Sequence, residues 1–136
     1  NPYGKSKYFI EEILKDYCTA NKNFEVIILR YFNPIGAHPS GIIGESPNNI
    51  PNNLMPIILK VLTNELKKIT IYGDDYETKD GTCIRDYIHV MDVADSHKIV
   101  LEFLMENDPQ FLSLNIGTGK GTSVLELVKT FQKINI

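Results

Sequence analysis

The run Phe24-Glu25-Val26-Ile27-Ile28-Leu29-Arg30-Tyr31 decides the architecture. It is short, β-branched and almost continuously apolar, the pattern of a strand buried on both faces of a parallel sheet. Upstream of it, Phe9, Ile10, Ile13, Leu14 and Tyr17 recur at helical spacing, while Glu11 and Lys15 form an i,i+4 pair on another face. A helix is therefore expected over about 3–20. A helix feeding a buried strand is an αβ unit, and its repetition downstream sets the fold class.

Downstream, segment 33–52 holds four prolines and three glycines without periodicity. A stretch of about twenty such residues is longer than a compact domain carries without a use for it. Asn53 is placed to cap a helix reaching about Leu66, lined by Leu54, Ile57, Ile58, Val61 and Leu62, with Pro56 in its first turn. Two brief strands are expected at 69–72 and 86–90. A helix over 91–106 then carries Val93, Ala94, His97, Val100, Leu101 and Leu104. Segment 112–116 reads as another buried strand, broken by Gly117-Thr118-Gly119. Ser123 and Glu126 form a capping-box pair ahead of a last helix lined by Val124, Leu127, Val128 and Phe131. The chain reads as α/β with parallel βαβ elements. Its first residues open on a helix, and its last, to Ile136, leave an apolar helix end uncovered. Both ends read as severed.

The 136 residues suffice for one domain or part of one. Hydrophobic residues make up 43% and charged residues 23%, the usage of an ordinary globular protein. A formal net charge of −3 offers no cationic surface for a phosphate backbone or an anionic membrane, so neither nucleic acid nor membrane is expected as a partner. Cys18 and Cys83 are far apart, and neither they nor His38, His89 and His97 have metal-ligand spacing. No metal is expected, and a reducing cytoplasm suits two lone thiols. The longest apolar runs fall short of the roughly 18 residues of a membrane span. His89 and His97 read as packed, hydrogen-bonded histidines without a catalytic role.

Tyr3 and Lys7 stand four apart on the first helix, with Cβ atoms about 5–6 Å apart on one face. That face continues through Ile10 and Leu14, so both side chains are expected to point inward. A lysine ammonium beside a phenol favours the ionised phenol, which suits Tyr3 to exchange a proton with a substrate hydroxyl. A four-residue spacing alone is a weak signal. Arg85 has the planar fork that grips a diphosphate, or alternatively the charge for a salt bridge to an acid such as Asp86. Asn53 and Leu54 open a helix, where free N–H groups favour an anion, although plain capping is the other use for Asn53. Asn33 follows the strand ending at Tyr31, at the carboxyl end where α/β folds build sites. Tyr31 and Phe32 read either as core or as pocket wall. Gly117-Thr118-Gly119 lacks the full dinucleotide fingerprint and reads as a tight strand-to-helix turn.

Asn1-Pro2-Tyr3-Gly4-Lys5-Ser6-Lys7, Leu29-Arg30-Tyr31-Phe32-Asn33-Pro34, Gly36-Ala37-His38-Pro39-Ser40-Gly41, Ile50-Pro51-Asn52-Asn53-Leu54-Met55-Pro56, Asp80-Gly81-Thr82 and Arg85-Asp86-Tyr87-Ile88-His89-Val90-Met91-Asp92 follow in this order. Together they resemble the sugar-nucleotide 4-epimerases of the extended short-chain dehydrogenase/reductase family, over essentially the whole chain. The resemblance implies part of a Rossmann-like doubly wound parallel sheet plus part of a smaller substrate-binding α/β region. Segments 1–35 and 91–136 would be mainly Rossmann-side elements, and 36–90 mainly substrate-binding elements. It implies a tightly held NAD as cofactor and a UDP-sugar as substrate. Tyr3 would be the acid/base on the sugar 4-hydroxyl and Lys7 would meet the nicotinamide ribose, with Tyr31 near the nicotinamide. Asn33, Asn53, Leu54, Thr70, Tyr72 and Arg85 would hold the nucleotide, Thr70 and Tyr72 at the uracil. Hydride would leave sugar C4 and return to the opposite face of a 4-keto sugar, interconverting UDP-glucose and UDP-galactose. Members are commonly homodimers.

The family's dinucleotide fingerprint, ribose-binding acid and catalytic Ser/Thr all lie upstream of its Tyr-Lys helix and are not in these residues. Asn48-Asn49 and Cys83 depart from Gln-Gly and Gly in the family pattern, which are mild loop changes. An inactive piece or weak UDP-sugar binder is one alternative. A related dehydratase, or an epimerase of another sugar, is the other.

Overall fold

A computed structural model describes residues 1–49, 51–107 and 110–134. Ile50 of the Ile50-Pro51 motif and the terminal Ile136 lie outside them. The chain divides into two compact units, Asn1–Tyr31 with Asp92–Ile116, and Phe32–Met91 with Gly117–Ile136.

In the first unit, α1 spans Pro2–Ala20 and β1 spans Val26–Tyr31. Most of α3 (Val90–Asn107) and β4 (Phe111–Ile116) complete it. Asn1 caps α1 by accepting the Gly4 amide at 2.8 Å, and Pro2 occupies the first turn, where a missing N–H costs little. At the other end the Asn21 amide donates to the Tyr17 carbonyl at 2.9 Å. β1 and β4 pair in parallel, from Val26 opposite Phe111 to Tyr31 opposite Ile116, a pairing that needs the long connection between them. One expectation fails here. Tyr3 is 73% exposed and Cys18 is the buried residue of α1, so the Tyr3, Lys7, Ile10 face does not point into a core. A helix stripe is buried only where a second layer covers it, and within this unit β1 is the element on which α1 packs.

The second unit holds β2 (Asn33–Ile35), α2 (Leu54–Leu62), β3 (Ile84–His89), β5 (Gly121–Ser123) and α4 (Val124–Ile134). Its sheet has the order β2-β3-β5, parallel for the first pair and antiparallel for the second. Neither β2 nor β5 is evident from sequence, since each is three residues long and polar or proline-bearing. Both form by pairing with β3, and Pro34 is tolerated because β2 lies at the sheet edge. The strand expected at 69–72 is absent, because that segment joins no ladder among the described residues. α2 ends at Leu62, short of Leu66, because Asn64 takes a left-handed φ of 61° and the Glu65 and Leu66 amides close back on the Lys60 carbonyl. The core of this unit includes Ile58, Ile88 and Val128.

The start of α4 is tied down by Ser123 of β5 and by side chains of the turn ahead of β3. The Glu126 amide donates to Ser123 Oγ at 3.0 Å, and the Leu125 amide to Thr82 Oγ1 at 3.2 Å. The Ser123 hydroxyl in turn donates to the Asp80 carboxylate, which also accepts the Thr82 amide and hydroxyl. These bonds bind the Asp80-Gly81-Thr82 turn to the helix entry. Among the described residues, no helix is long and apolar enough to cross a membrane.

Candidate functional site

The first unit brings Tyr3, Lys7 and Tyr31 to one open groove of about 820 Å³ between α1 and β1. Lys7 Nζ stands 5.5 Å from the centroid of the Tyr3 ring, so the ammonium lies against the ring face, as a cation does over an aromatic quadrupole. The i,i+4 spacing on α1 produces this contact directly. The apolar part of the wall comes from Ile10, Ile28 and Leu29. A charged pair, Glu11 of α1 and Arg30 of β1, fixes helix to strand. Arg30 Nε donates to Glu11 Oε1 at 2.9 Å, and Nη2 donates to the second carboxylate oxygen, a bidentate fork. Those hydrogen bonds hold the Glu11 carboxyl below the usual carboxylate range.

At the end of β1, Tyr31 is hydrogen-bonded to His97 of α3, with 2.7 Å between Tyr31 Oη and His97 Nε2. Their rings lie 5.5 Å apart between centroids. His97 is hydrogen-bonded as expected but exposed instead of packed, and its partner is one of the groove-lining residues. Tyr31 and His97 are 66 positions apart in sequence, so no local spacing could reveal the pair.

In the second unit, Asn33 stands opposite Tyr87 in the parallel β2-β3 register. Alternation along β3 then puts Asn33, Tyr87 and Arg85 on one face of the sheet, with Asp86 on the other. Tyr87, opposite Asn33 and two residues beyond Arg85, is half-buried, and burial pushes its phenol above the usual value. Its place two residues beyond Arg85 is a period-two signal that the sequence reading missed. Arg85 is exposed and Nη1 donates to the Ile84 carbonyl at 2.9 Å. The alternative salt bridge to Asp86 does not form, because the Asp86 carboxylate is bound elsewhere. It accepts the Thr118 amide at 2.9 Å, the Thr118 hydroxyl at 2.8 Å and the Gly119 amide at 2.8 Å. The Gly117-Thr118-Gly119 turn is thus an anion nest filled by the chain's own carboxylate. Gly117 also has to be glycine: a Cβ there would meet Phe32 and come within 2.8 Å of Asp86 Oδ2.

Asn53 occupies the N-cap position of α2, yet its side chain makes no capping hydrogen bond. Its Nδ2 donates to Glu45 Oε1 at a long 3.4 Å, so the capping reading gives way to a helix N-terminus with Asn53 and Leu54 at its mouth. Thr70 and Tyr72 fall in the irregular segment before Gly73, and Tyr72 is 86% exposed. Strand backbone of the kind expected for them is not present.

Residues 1–117 match the model of the NAD dependent epimerase/dehydratase family. The UDP-glucose 4-epimerase of Erwinia amylovora is 55% identical over 98% of this chain and 39% of its own length. Among solved structures, the UDP-glucose 4-epimerase of Bifidobacterium longum, in complex with NAD+ and UDP, superposes with a TM-score of 0.92 at 50% identity. The one from Stenotrophomonas maltophila, with bound NAD and formylated UDP-arabinopyranose, also gives 0.92, at 47% identity. Each is covered over 98% of this chain and 39% of its own. The chain therefore spans about two fifths of the length of the relatives it matches. With an α/β fold, ordered motifs and a family match over most of its residues, the chain belongs to the NAD dependent epimerase/dehydratase family.

Proposed function

We propose that this chain is a segment of an enzyme that interconverts UDP-glucose and UDP-galactose at sugar C4, with NAD as cofactor. The observation that carries this reading is the convergence of Tyr3, Lys7 and Tyr31 on one groove. The groove suits a nicotinamide ribose and its neighbouring sugar, since the Lys7 ammonium and the phenols of Tyr3, Tyr8 and Tyr31 border an apolar wall. The chemistry NAD supplies when bound is reversible hydride exchange with sugar C4. Tyr3 accepts the proton of the 4-hydroxyl as the carbonyl forms and returns it when the hydroxyl is restored. The Lys7 ammonium lies against the Tyr3 ring and sets a positive charge beside the group that exchanges this proton. Lys7 would also hold the ribose of a bound nicotinamide, and Tyr31 would border its ring.

The second unit takes the nucleotide. Arg85 has no acidic partner among the described residues, so its guanidinium is available to the diphosphate. Asn33 and Tyr87 continue the same sheet face, and Asn53 with Leu54 offers the N-terminus of α2 to an anion or to uracil. Thr70 and Tyr72 meet the uracil from the irregular segment before Gly73. Holding the nucleotide firmly leaves the sugar free to turn over between the two hydride transfers.

Of the two compact units, we assign the first to the cofactor side and the second to the substrate side. This follows the expected division of 1–35 and 91–136 against 36–90, except at 32–35, at Met91 and at 117–136, which fall in the second unit. The cytoplasm is the assigned location, supported by two lone cysteines. A homodimer is the assembly we assign from family likeness. The test is turnover by the complete enzyme. It should equilibrate UDP-galactose with UDP-glucose, whereas release of a 4-keto-6-deoxy sugar nucleotide would replace epimerisation by dehydration.

A further inference from the structure

We propose that His97 is a positioning residue for Tyr31, and that Tyr31 meets the occupant of the groove through its ring rather than its hydroxyl. The inference rests on the cofactor-side reading of that groove. His97 Nδ1 lies 2.7 Å from the Val93 carbonyl oxygen, one turn back on α3. A carbonyl only accepts, so Nδ1 carries the proton. In the neutral ring Nε2 then has a lone pair and no proton. Tyr31 Oη, 2.7 Å from that nitrogen, must therefore be the donor.

Two consequences follow for the groove. The single proton of the Tyr31 hydroxyl is engaged by His97, so it is not offered to a bound ligand. The ring itself is held at both ends, by the β1 backbone at Cα and by α3 at Oη, although Tyr31 is 47% exposed. A tyrosine pinned in this way presents a fixed aromatic surface beside Tyr3 and Lys7. It orients a flat ring by contact and leaves proton transfer to Tyr3. His97 never touches the occupant and acts only through Tyr31.

The test uses the complete enzyme. His97→Leu and Tyr31→Phe should each lower kcat by roughly three- to tenfold, the loss of one ordinary hydrogen bond, with KM for UDP-galactose unchanged. The double variant should be no slower than either single one, and His97→Gln, whose Oε1 can accept near the place of Nε2, should recover most of the rate. Nitrogen-15 spectra of the imidazole should show the proton on Nδ1. Wild-type turnover in His97→Leu, additive losses in the double variant, no recovery in His97→Gln, or a proton on Nε2 would each overturn the proposal. Full activity in Tyr3→Phe would instead overturn the underlying reading of the groove, and leave the tautomer and the non-additivity to be judged on their own.

Discussion

Thr118 grips one oxygen of Asp86 twice, through its amide at 2.9 Å and its hydroxyl at 2.8 Å. With the Gly119 amide on the other oxygen, these donors favour the ionised carboxylate and hold its pKa below the usual carboxylate range, the Thr118 amide most of all. Asp80 is held low in the same way, first by the Ser123 hydroxyl and then by Thr82. Both carboxylates connect β3 or its approach to the segment that opens α4.

These two groups predict acid sensitivity. Each folded-state value lies below the unfolded value of about 3.9. The stabilisation is therefore fully present above that value and is lost as pH falls through the lower, folded-state value. The thermal midpoint of the chain should hold from pH 7 to about 5 and fall steeply below 4. In Asp86→Asn the midpoint should start lower and depend less on pH in that range. A wild-type slope in Asp86→Asn, measured by circular dichroism, would remove Asp86 from the explanation.

Gly81 should resist substitution. Its φ is +75°, and a Cβ there would overlap the Asp74 carbonyl, a backbone group that cannot swing away. Gly81→Ala combines left-handed strain with overpacking and should destabilise by about 1–3 kcal/mol. Because the Tyr76 amide donates to the Gly81 carbonyl at 3.0 Å, the loop should loosen with it. Denaturant unfolding gives the number directly, and an unchanged midpoint would show that the loop adapts.

Arg85 should distinguish phosphate from base. A charge-assisted contact to the diphosphate is worth about 1.5–3 kcal/mol, so Arg85→Ala should weaken UDP by roughly ten- to a hundredfold. Uridine, which lacks the diphosphate, should bind the variant as it binds the parent. Calorimetry with both ligands separates the two, and an equal loss for uridine would point to a distorted sheet instead of a lost phosphate contact.

The regular elements were legible because each carries its own period. The 24–31 run, the apolar stripes of α1 and α3, and the Ser123 to Glu126 start of α4 are local signals, and the elements formed within a residue or two of expectation. β2 and β5 were not legible, since three residues with no apolar alternation become strands only when β3 is beside them. The 69–72 run failed for the converse reason: strand-like composition without a ladder partner stays irregular. At the site, the contact between Tyr3 and Lys7 was legible from their i,i+4 spacing, whereas the spacing gave no role without the surrounding motifs. Their environment was not. The Asp86 nest, the Tyr31 to His97 bond and the Glu11 to Arg30 fork join residues 19 to 66 positions apart, which only the folded chain brings together.

The most direct measurement is turnover of UDP-galactose by Tyr3→Phe in the complete enzyme, with bound NAD and UDP affinity measured on the same sample. The proton-transfer role predicts that turnover falls by at least about a hundredfold, while NAD content and the UDP dissociation constant stay at their parental values. Parental turnover in Tyr3→Phe with cofactor and nucleotide still bound would contradict it.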